Sequence, residues 1–452
     1  MESITGWLLD LYAAPGEGVV VWLIGEDGAR YRLRQNFPVT FYAAGPRAQL
    51  RALWRFLRRQ PVRVHLARDA RRDLFQPEPV PVLSIQVEQA AEQSRLFYKV
   101  SRTFPELTYY DADIPLSLRH AAVYRTFPLA RCQMDVDHAE PGNHAEPDSH
   151  AEPGNQAEPG NHAEPDSEEY QIQRIETFDS PWELDPIVPP MRIMSIKPEE
   201  DPSHAAPKGL LVRTGRHEDL HRLPLEPERS LLVGLGALLR RFDPDLIMTA
   251  WGDTWLLPYL LELQEKLGID IPLNRDADRP VIQRPERVYF AYGQVIYRGQ
   301  QVRLFGRGHL DVHNAVLFGD YGLDGVLEMS RVTCLPLQSA ARLSPGTGIS
   351  SMQIITALRE GILVPWHKQQ AEYPKSAMDL IEVDRGGMVY QPIIGLHKDV
   401  AEIDFISMYP SIMARFNVSP ETVGPDVPNA QPVPGLNLHI DPDTPGLVPQ
   451  TL

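Results

Sequence analysis

The chain has only two cysteines in 452 residues, Cys132 and Cys334. Two distant thiols cannot build a disulfide framework or a four-ligand zinc site, and their scarcity favours a reducing compartment, the cytoplasm. No apolar run reaches the roughly 18 residues of a membrane span. The N-terminal sequence MESITGWLLDLYAAPGEG also lacks the basic residues that precede the apolar part of a signal peptide. These absences predict a soluble, cytoplasmic protein with no membrane partner.

An excess of basic charge is also missing. The net charge of −16 argues by itself against a nucleic-acid partner. Part of it comes from residues 138–167, five hexapeptides such as HAEPGN and HAEPDS with seven carboxylates and no Lys or Arg. Arginine instead clusters near the N-terminus, at Arg47, Arg51, Arg55, Arg58, Arg59, Arg63, Arg68, Arg71 and Arg72. This arginine cluster fits either a phosphate-binding surface or a solvated helix face, and the sequence favours neither.

The hexapeptide tract predicts an extended, disordered linker. It has a proline in every repeat, small polar neighbours and no aromatic residue, so it cannot bury enough surface to offset the entropy of ordering. Its histidines permit weak metal binding, but a flexible repeat preorganises no coordination geometry. The remaining composition, 43% hydrophobic and 23% charged, is that of a globular protein of about two to four domains.

Residues 1–134 are predicted to form an α+β domain. Strand-like patterns occupy residues 18–25, 29–44, 62–69 and 80–88. Gly-Glu-Asp-Gly between the first two is typical of a hairpin. Within residues 46–60, apolar side chains follow the helical spacing i, i+3, i+4, i+7, at Leu50, Leu53, Trp54 and Leu57. The arginine cluster supplies the polar face of this helix.

Beyond the tract, strands alternate with helices. Residues 191–197, 209–215 and 243–251 are predicted strands, and residues 229–242 and 254–268 are predicted helices. The alternation predicts an α/β domain with a partly parallel sheet. Function in such sheets lies at the carboxyl ends of strands, here after Ile196 and after Ala250.

The segment Val400–Val423, VAEIDFISMYPSIMARFNVSPETV, resembles motif A of the family B DNA polymerases. That signature runs Asp-x-x-Ser-Leu-Tyr-Pro-Ser-Ile and continues with Asn-x-Ser-Pro-Glu-Thr. The matching residues are Asp404, Ser407, Met408 (in place of Leu), Tyr409, Pro410, Ser411 and Ile412, then Asn417, Ser419, Pro420, Glu421 and Thr422. The Arg385-Gly386-Gly387 stretch resembles the glycine-rich segment of this family that touches the template strand.

The resemblance implies a multidomain α/β and α+β chain. Its domains would be residues 1–134 (N-terminal), 135–169 (linker), 170–375 (ribonuclease H-like exonuclease type) and 376–452 (start of the palm). Asp404 would be the catalytic Mg²⁺ ligand, because an aspartate oxygen suits this ion and the ion neutralises charge on a transferred phosphoryl group. Ser407, Met408 and Tyr409 would bind the nucleotide, with Tyr409 as the steric gate under the sugar. The implied partners are a DNA primer-template and deoxynucleoside triphosphates.

The exonuclease-type segment departs from the family pattern. Lys197 stands where the Asp of the Asp-x-Glu pair is expected, although Glu199 keeps the Glu. In the second segment Trp251 replaces an Asn and Leu256 replaces an Asp. In one alignment Gly325 falls at the acid position of the third segment, Tyr-x-x-x-Asp. In the other, the residues from Tyr321 onward form the helix that precedes this segment, and the third segment itself is deleted. A lysine repels a cation, so the fold is predicted to persist without exonuclease activity. An active exonuclease is the disfavoured alternative.

The fingers signature Lys-x-x-x-Asn-Ser-x-Tyr-Gly and the second palm signature Asp-Thr-Asp do not occur. Phosphoryl transfer with two metal ions needs at least two converging carboxylates, so this chain is not expected to complete the site alone. One hypothesis is the front half of a split polymerase, completed by a second polypeptide with fingers, remaining palm and thumb. The others are a non-catalytic DNA-binding or scaffold protein, and a fragment or decayed gene.

Overall fold

A computed structural model describes residues 2–76, 78–138, 170–215, 219–291, 294–366, 376–378, 381, 390–405, 407–424, 429–435 and 438–452. Residues 139–167 of the hexapeptide tract, predicted to be a linker, lie outside the described residues, and so do Arg385, Gly386 and Gly387. The chain forms two compact units. The first unit comprises Met1–Val39, Val87–Gln93 and Pro115–Ser351, and the second comprises Thr40–Gln86, Ser94–Ile114 and Met352–Leu452. The predicted domain boundaries stay a prediction.

The secondary-structure elements alternate along most of the chain. The strands are β1 (Glu2–Ala14), β2 (Gly18–Gly25), β3 (Arg30–Gln35), β4 (Val39–Ala44), β5 (Val64–Arg71), β6 (Val80–Val87), β7 (Thr108–Tyr110), β8 (Arg131–His138), β9 (Tyr170–Thr177), β10 (Ile193–Pro198), β11 (Gly209–Thr214), β12 (Asp219–Pro224), β13 (Leu246–Thr249), β14 (Ile282–Arg284), β15 (Arg287–Ala291), β16 (Gln294–Arg298), β17 (Gln301–Arg303), β18 (Gly308–Asp311), β19 (Gln431–Pro432) and β20 (His439–Ile440). The α-helices are α1 (Arg47–Leu57), α2 (Gln93–Thr103), α3 (Leu116–Tyr124), α4 (Glu228–Phe242), α5 (Leu257–Leu267), α6 (Phe318–Thr333), α7 (Leu337–Ala340), α8 (Pro345–Arg359), α9 (Met408–Arg415) and α10 (Leu447–Thr451). A 3₁₀ turn spans Ala90–Glu92 and a π-helical turn spans Gly252–Leu256.

A closed barrel in the order β1-β2-β3-β9-β8 lies in the first unit. Strand β2 is buried along its whole length and pairs antiparallel with β3, which confirms the predicted hairpin. Gly28 holds a left-handed φ of 85° in the connecting turn, a conformation that glycine adopts without steric cost. Strands β8 and β9 pair antiparallel, with His138 opposite Tyr170. The barrel therefore includes strands from both sides of the hexapeptide tract.

The second sheet of this unit has the order β12-β11-β10-β13-β18. Strands β10, β13 and β18 run parallel, and β11 and β12 are antiparallel additions, as the predicted partly parallel sheet requires. Helix α4 buries its leucine stripe against this sheet, and α5 follows the π-helical turn after β13. The same core takes in side chains from strands and helices alike: Met194, Ile196, Val212, Leu231, Leu235, Leu239, Leu260 and Leu263.

A four-stranded sheet in the order β5-β6-β4-β7 lies in the second unit. The chain passes from β4 through α1 to β5 and β6, and from α2 to β7. Helix α1 confirms the amphipathic prediction, because Leu53 and Leu57 are fully buried. Residues that follow α8 contact this sheet. The Asp111 amide donates a hydrogen bond to the Val364 carbonyl oxygen at 2.8 Å, and the Val364 amide donates one to the Asp111 carboxylate at 2.8 Å.

The fold is therefore a mixed α/β multidomain fold with a β-rich N-terminal region, as predicted. Across the described residues, no helix combines the length and the hydropathy needed to cross a bilayer.

Candidate functional site

Asp404 lies in an irregular segment of the chain that precedes helix α9. Residues 390–405 contain no regular element, and the Asp404 carboxylate is exposed and accepts a hydrogen bond from the Phe405 amide at 2.8 Å. Ser407 adopts a left-handed φ of 46° directly before Met408. Such a conformation is uncommon for a residue with a side chain and marks a sharp change of chain direction. The Asp404 carboxylate and the first residues of α9 are therefore exposed on the surface.

Tyr409 lies in the first turn of α9 and is 70% exposed, and Met408 beside it is 45% exposed. A phenol ring held on a short helix can contact a flat partner such as a sugar ring. Ser407, Met408 and Tyr409 are consecutive in the chain, and all three are exposed. Their nucleotide-binding role stays a prediction.

Asp404 offers one hard oxygen ligand of the kind that Mg²⁺ prefers. No cluster of three or more His, Cys, Asp or Glu side chains that could hold a metal ion occurs in the described part of the chain. Magnesium is usually held by one or two carboxylates together with substrate phosphates and water. Asp404 therefore fits as one ligand of such an ion, and further ligands have to come from elsewhere.

The Asn-x-Ser-Pro-Glu-Thr stretch has a structural role in this fold. The Asn417 side-chain amide donates to the backbone oxygens of Asp441 at 2.7 Å and Thr444 at 2.8 Å, and its oxygen accepts from the Gly446 amide at 2.8 Å. Ser419 is almost fully buried, and its hydroxyl donates to Glu421 at 2.6 Å. The motif thus fixes the chain that leads into α10.

Large apolar side chains crowd the surface before and within α9. Ile394 is 97% exposed, Ile403 is 91% exposed and Phe405 is 77% exposed. Further exposed members are Tyr390, Ile393, Leu396, Val400, Ile412 and Phe416. Exposed apolar side chains in this number are typical of an interaction site. We call the exposed apolar side chains of residues 390–405 and 407–416 the motif A surface.

The exonuclease-type positions lie at the carboxyl ends of β10 and β13. Lys197 is exposed on β10, and Glu199 directly follows this strand. The Glu199 carboxylate forms an ion pair with Arg222 on β12, which is separated from β10 by β11 in the sheet. A carboxylate engaged by a guanidinium and preceded by an ammonium is a poor cation ligand.

The acid positions predicted for the second and third segments hold Leu256 and Gly325, and neither is an acid. Leu256 is fully buried in the apolar core. Trp251 takes a left-handed φ of 54° and stacks on His313 with ring centroids 4.1 Å apart. Gly325 lies inside α6, where an added Cβ would collide with the Cβ of Tyr321. An aspartate at position 325 therefore needs the helix to shift.

Asp253, the acid that survives beside these positions, is turned into the protein. Its two oxygens accept from Arg342 Nε and Nη2, both at 2.9 Å, and it is fully buried. The Val302 amide and the Asn314 side-chain amide donate to it at 2.7 Å each. Burial raises the pKa of the Asp253 carboxyl, but the hydrogen bonds and charge of Arg342 outweigh burial and leave the pKa below its usual range.

Two neighbours complete this buried cluster. Asp311, at the end of β18, accepts a hydrogen bond from the Asp253 amide at 2.9 Å, and burial raises the pKa of its carboxyl. His309 Nδ1 donates to the Val302 carbonyl oxygen at 2.9 Å, and Nε2 shares a hydrogen bond with the Thr249 hydroxyl at 2.9 Å. Burial lowers the pKa of His309 to about 4. Arg342 thus neutralises the charge of Asp253 within a buried cluster of polar groups at the ends of the strands.

Comparison with known proteins agrees with the motif. Residues 345–444 match the family described as DNA polymerase family B. In this segment the chain is similar to the family B DNA polymerases. DNA polymerase 1 of Pyrococcus abyssi is 27% identical over 297 residues, which cover 55% of this chain and 38% of that protein. The DNA polymerase of Archaeoglobus fulgidus is 24% identical over 269 residues, covering 50% and 32% respectively.

The solved structure of the family B DNA polymerase from Pyrobaculum calidifontis has the same fold, with a TM-score of 0.68 at 20% identity. The match covers 99% of this chain and 62% of that one. The chain spans about two fifths or less of the length of these curated family B relatives.

The sequence analysis did not identify the structural roles of several residues. Arg342 is 89 residues from Asp253 along the chain, and no local pattern links them. Asp311 could have been predicted from the sequence. It is an acid at the carboxyl end of a buried strand, and the carboxyl ends of parallel strands are where functional residues usually lie. Asn417 was matched to the motif, but its bracing of the Asp441–Gly446 chain was not foreseen.

Proposed function

We propose that this chain forms the N-terminal part of a DNA-directed DNA polymerase and supplies the first carboxylate of its palm. The observation that carries the proposal is the exposed Asp404 shortly before α9, inside the segment that matches DNA polymerase family B. In nucleotidyl transfer the primer 3′ hydroxyl attacks the α-phosphorus of the triphosphate and pyrophosphate leaves. Positioning and electrostatic stabilisation supply most of the catalysis.

Asp404 is the proposed Mg²⁺ ligand. A Mg²⁺ ion held by this carboxylate would neutralise negative charge on the transferred phosphoryl group. The amides at the start of α9 lie at a helix N-terminus, which favours an anionic triphosphate. Tyr409 is the proposed steric gate: its ring would pack under a deoxyribose and leave no room for a 2′ hydroxyl.

We propose further that a second polypeptide completes the palm over the motif A surface. Phosphoryl transfer with two metal ions needs two converging carboxylates, and Asp404 has no second acid beside it in a metal-binding cluster among the described residues. The exposure of Ile394 and Ile403 supports the same proposal, because burying such side chains would stabilise an assembly. A non-catalytic DNA-binding or scaffold role is the alternative.

The proposed polymerase has no proofreading by this chain. Lys197 at one ligand position and Leu256 at another support this proposal, together with the Arg342 contact that occupies Asp253. Removal of a mispaired primer end, abolished by Glu199→Ala, would contradict it.

The test is primer extension with the purified chain, alone and with a candidate complementing polypeptide. We expect extension only in the mixture. Asp404→Asn should abolish it while primer-template binding persists, and Glu402→Gln, which removes an exposed acid two residues away, is the matched control. Extension by the chain alone would refute the need for a partner. Full activity of Asp404→Asn would favour the scaffold role.

Tyr409 is tested in the same assay with ribonucleotides. Tyr409→Ala should retain synthesis with deoxynucleotides and incorporate ribonucleotides more readily. Tyr409→Phe keeps the ring and should retain discrimination. Equal discrimination by Tyr409→Ala and the unchanged protein would remove Tyr409 from the gate position.

A further inference from the structure

A groove in the second unit runs between α1 and the strands β5 and β6. Its volume is about 490 Å³. Its lining combines apolar side chains with a row of arginines: Leu50, Trp54, Pro81, Val82 and Leu83, with Arg47, Arg51, Arg55 and Arg68. We call it the arginine groove. No part of the polymerase chemistry proposed above uses it.

The arginines of this groove are available to a ligand. Arg47, Arg51, Arg55 and Arg68 are exposed and form no ion pair within the described part of the chain. The acid that lines the groove, Asp69, is already paired with Arg71 at 2.7 Å. The groove therefore carries uncompensated positive charge although the whole chain has a net charge of −16.

The spacing of the charges indicates an extended anion. Arg47, Arg51 and Arg55 are four residues apart on α1, so they lie on one side of the helix with about 6 Å between successive positions. Such a row can meet consecutive phosphates of one strand, and each planar guanidinium can donate two hydrogen bonds to a phosphate.

The apolar floor distinguishes between nucleic-acid forms. Trp54 is only partly buried and lies beside Leu50 on the groove side of α1. Bases of a single strand can stack on an aromatic ring or lie on apolar side chains, whereas bases of a duplex are stacked on each other. We propose that the arginine groove binds single-stranded DNA, with phosphates on the arginines and bases on the floor. This inference goes beyond the proposed function and does not depend on nucleotide transfer.

The experiment measures binding of a short fluorescein-labelled oligothymidylate to the full chain by anisotropy, over a series of salt concentrations and without nucleotides. The test variant is the double substitution Arg51→Gln with Arg55→Gln. The matched control is Arg229→Gln with Arg241→Gln, which removes the same charge from exposed positions of α4 in the first unit.

We expect the test variant to lose affinity and the control to keep it. Because each phosphate contact contributes about 0.7 to the slope of log affinity against log salt for single strands, the slope should fall by about 1.4 in the test variant. Trp54→Leu should weaken binding with an unchanged slope, since it removes a ring and no charge. Circular dichroism of each variant establishes that it is folded.

Several results would overturn the inference. Equal affinity and slope for the test and control variants would show that the groove is not the binding surface. An equal loss with a duplex would indicate a general phosphate surface, and tighter binding of oligouridylate would assign the groove to RNA. Displacement by polyglutamate at the same charge concentration would indicate an acidic protein. A chain inactive in primer extension can still pass this test, so the two proposals fail separately.

Discussion

The buried pair of Asp253 and Arg342 allows a sharp prediction about stability. Arg342 is 4% exposed in its side chain and Asp253 is fully buried, and two hydrogen bonds join them. Removing one partner of such a pair leaves the other charge buried without compensation, which costs about 3–5 kcal/mol. We therefore expect Asp253→Asn to lower the free energy of unfolding of the first unit by about 3–5 kcal/mol.

The size of this loss depends on what replaces the carboxylate. Asparagine keeps the volume of Asp253, but an NH₂ group replaces one carboxylate oxygen. This NH₂ group cannot accept the hydrogen bonds that Val302 and Arg342 now donate to the carboxylate. Replacing both partners by apolar groups avoids the buried charge. The double substitution Asp253→Leu with Arg342→Met should therefore be less destabilising than either single change.

The assay is urea unfolding followed by circular dichroism, with Glu199→Gln as the control. Glu199 pairs with Arg222, whose side chain is 73% exposed, and an exposed ion pair contributes at most about 1 kcal/mol. A loss below about 1 kcal/mol for Asp253→Asn would show that Arg342 does not depend on this carboxylate. A double variant weaker than both single variants would contradict the account of buried charge.

Three further predictions concern other parts of the chain. Asn417→Ala removes three hydrogen bonds to the chain before α10, so proteolysis near Asp441 should accelerate, and retained resistance would contradict the bracing role. Burial lowers the pKa of His120 to about 3, below the unfolded value near 6.5, so the unfolded chain binds this proton first. The stability from neutral His120 should thus be present above pH ~6.5 and fall by up to about 1.4 kcal/mol per pH unit toward pH 3, and His120→Gln should flatten that slope in unfolding titrations. Gly325→Asp should destabilise α6 by about 1–3 kcal/mol through its clash with Tyr321, measured by thermal unfolding, and should restore no exonuclease activity.

Local sequence patterns predicted the individual elements well. The leucine and tryptophan spacing in α1, and the apolar runs of β10 and β13, reflect burial of one face or both, which a short window of sequence records. Barrel closure was not predictable in the same way. Strand β9 pairs with β8 across the hexapeptide tract, and local propensity does not specify the partner of a strand.

In the candidate sites, too, features encoded by neighbouring residues were predictable and contacts between distant segments were not. Asp404 and Tyr409 belong to one continuous motif, so their closeness follows from a separation of five residues along the chain. The residue types at Lys197 and Leu256, where the resemblance predicts acids, could also be read from the sequence. The contact between Asp253 and Arg342 could not, because it joins distant segments, and the π-helical turn Gly252–Leu256 around Asp253 leaves no periodic signal.

The meeting of β8 and β9 in the barrel has a consequence for how this gene can change. His138 and Tyr170 are register partners, so the two ends of the intervening stretch are held at a fixed short separation by the barrel itself. Copying or losing whole hexapeptides leaves those ends where they are. Since the entropy of closing a loop grows only with the logarithm of its length, doubling the repeat number costs about 0.6 kcal/mol. Variants with more or fewer hexapeptides should therefore keep the barrel, provided that the strand residues on either side are unchanged.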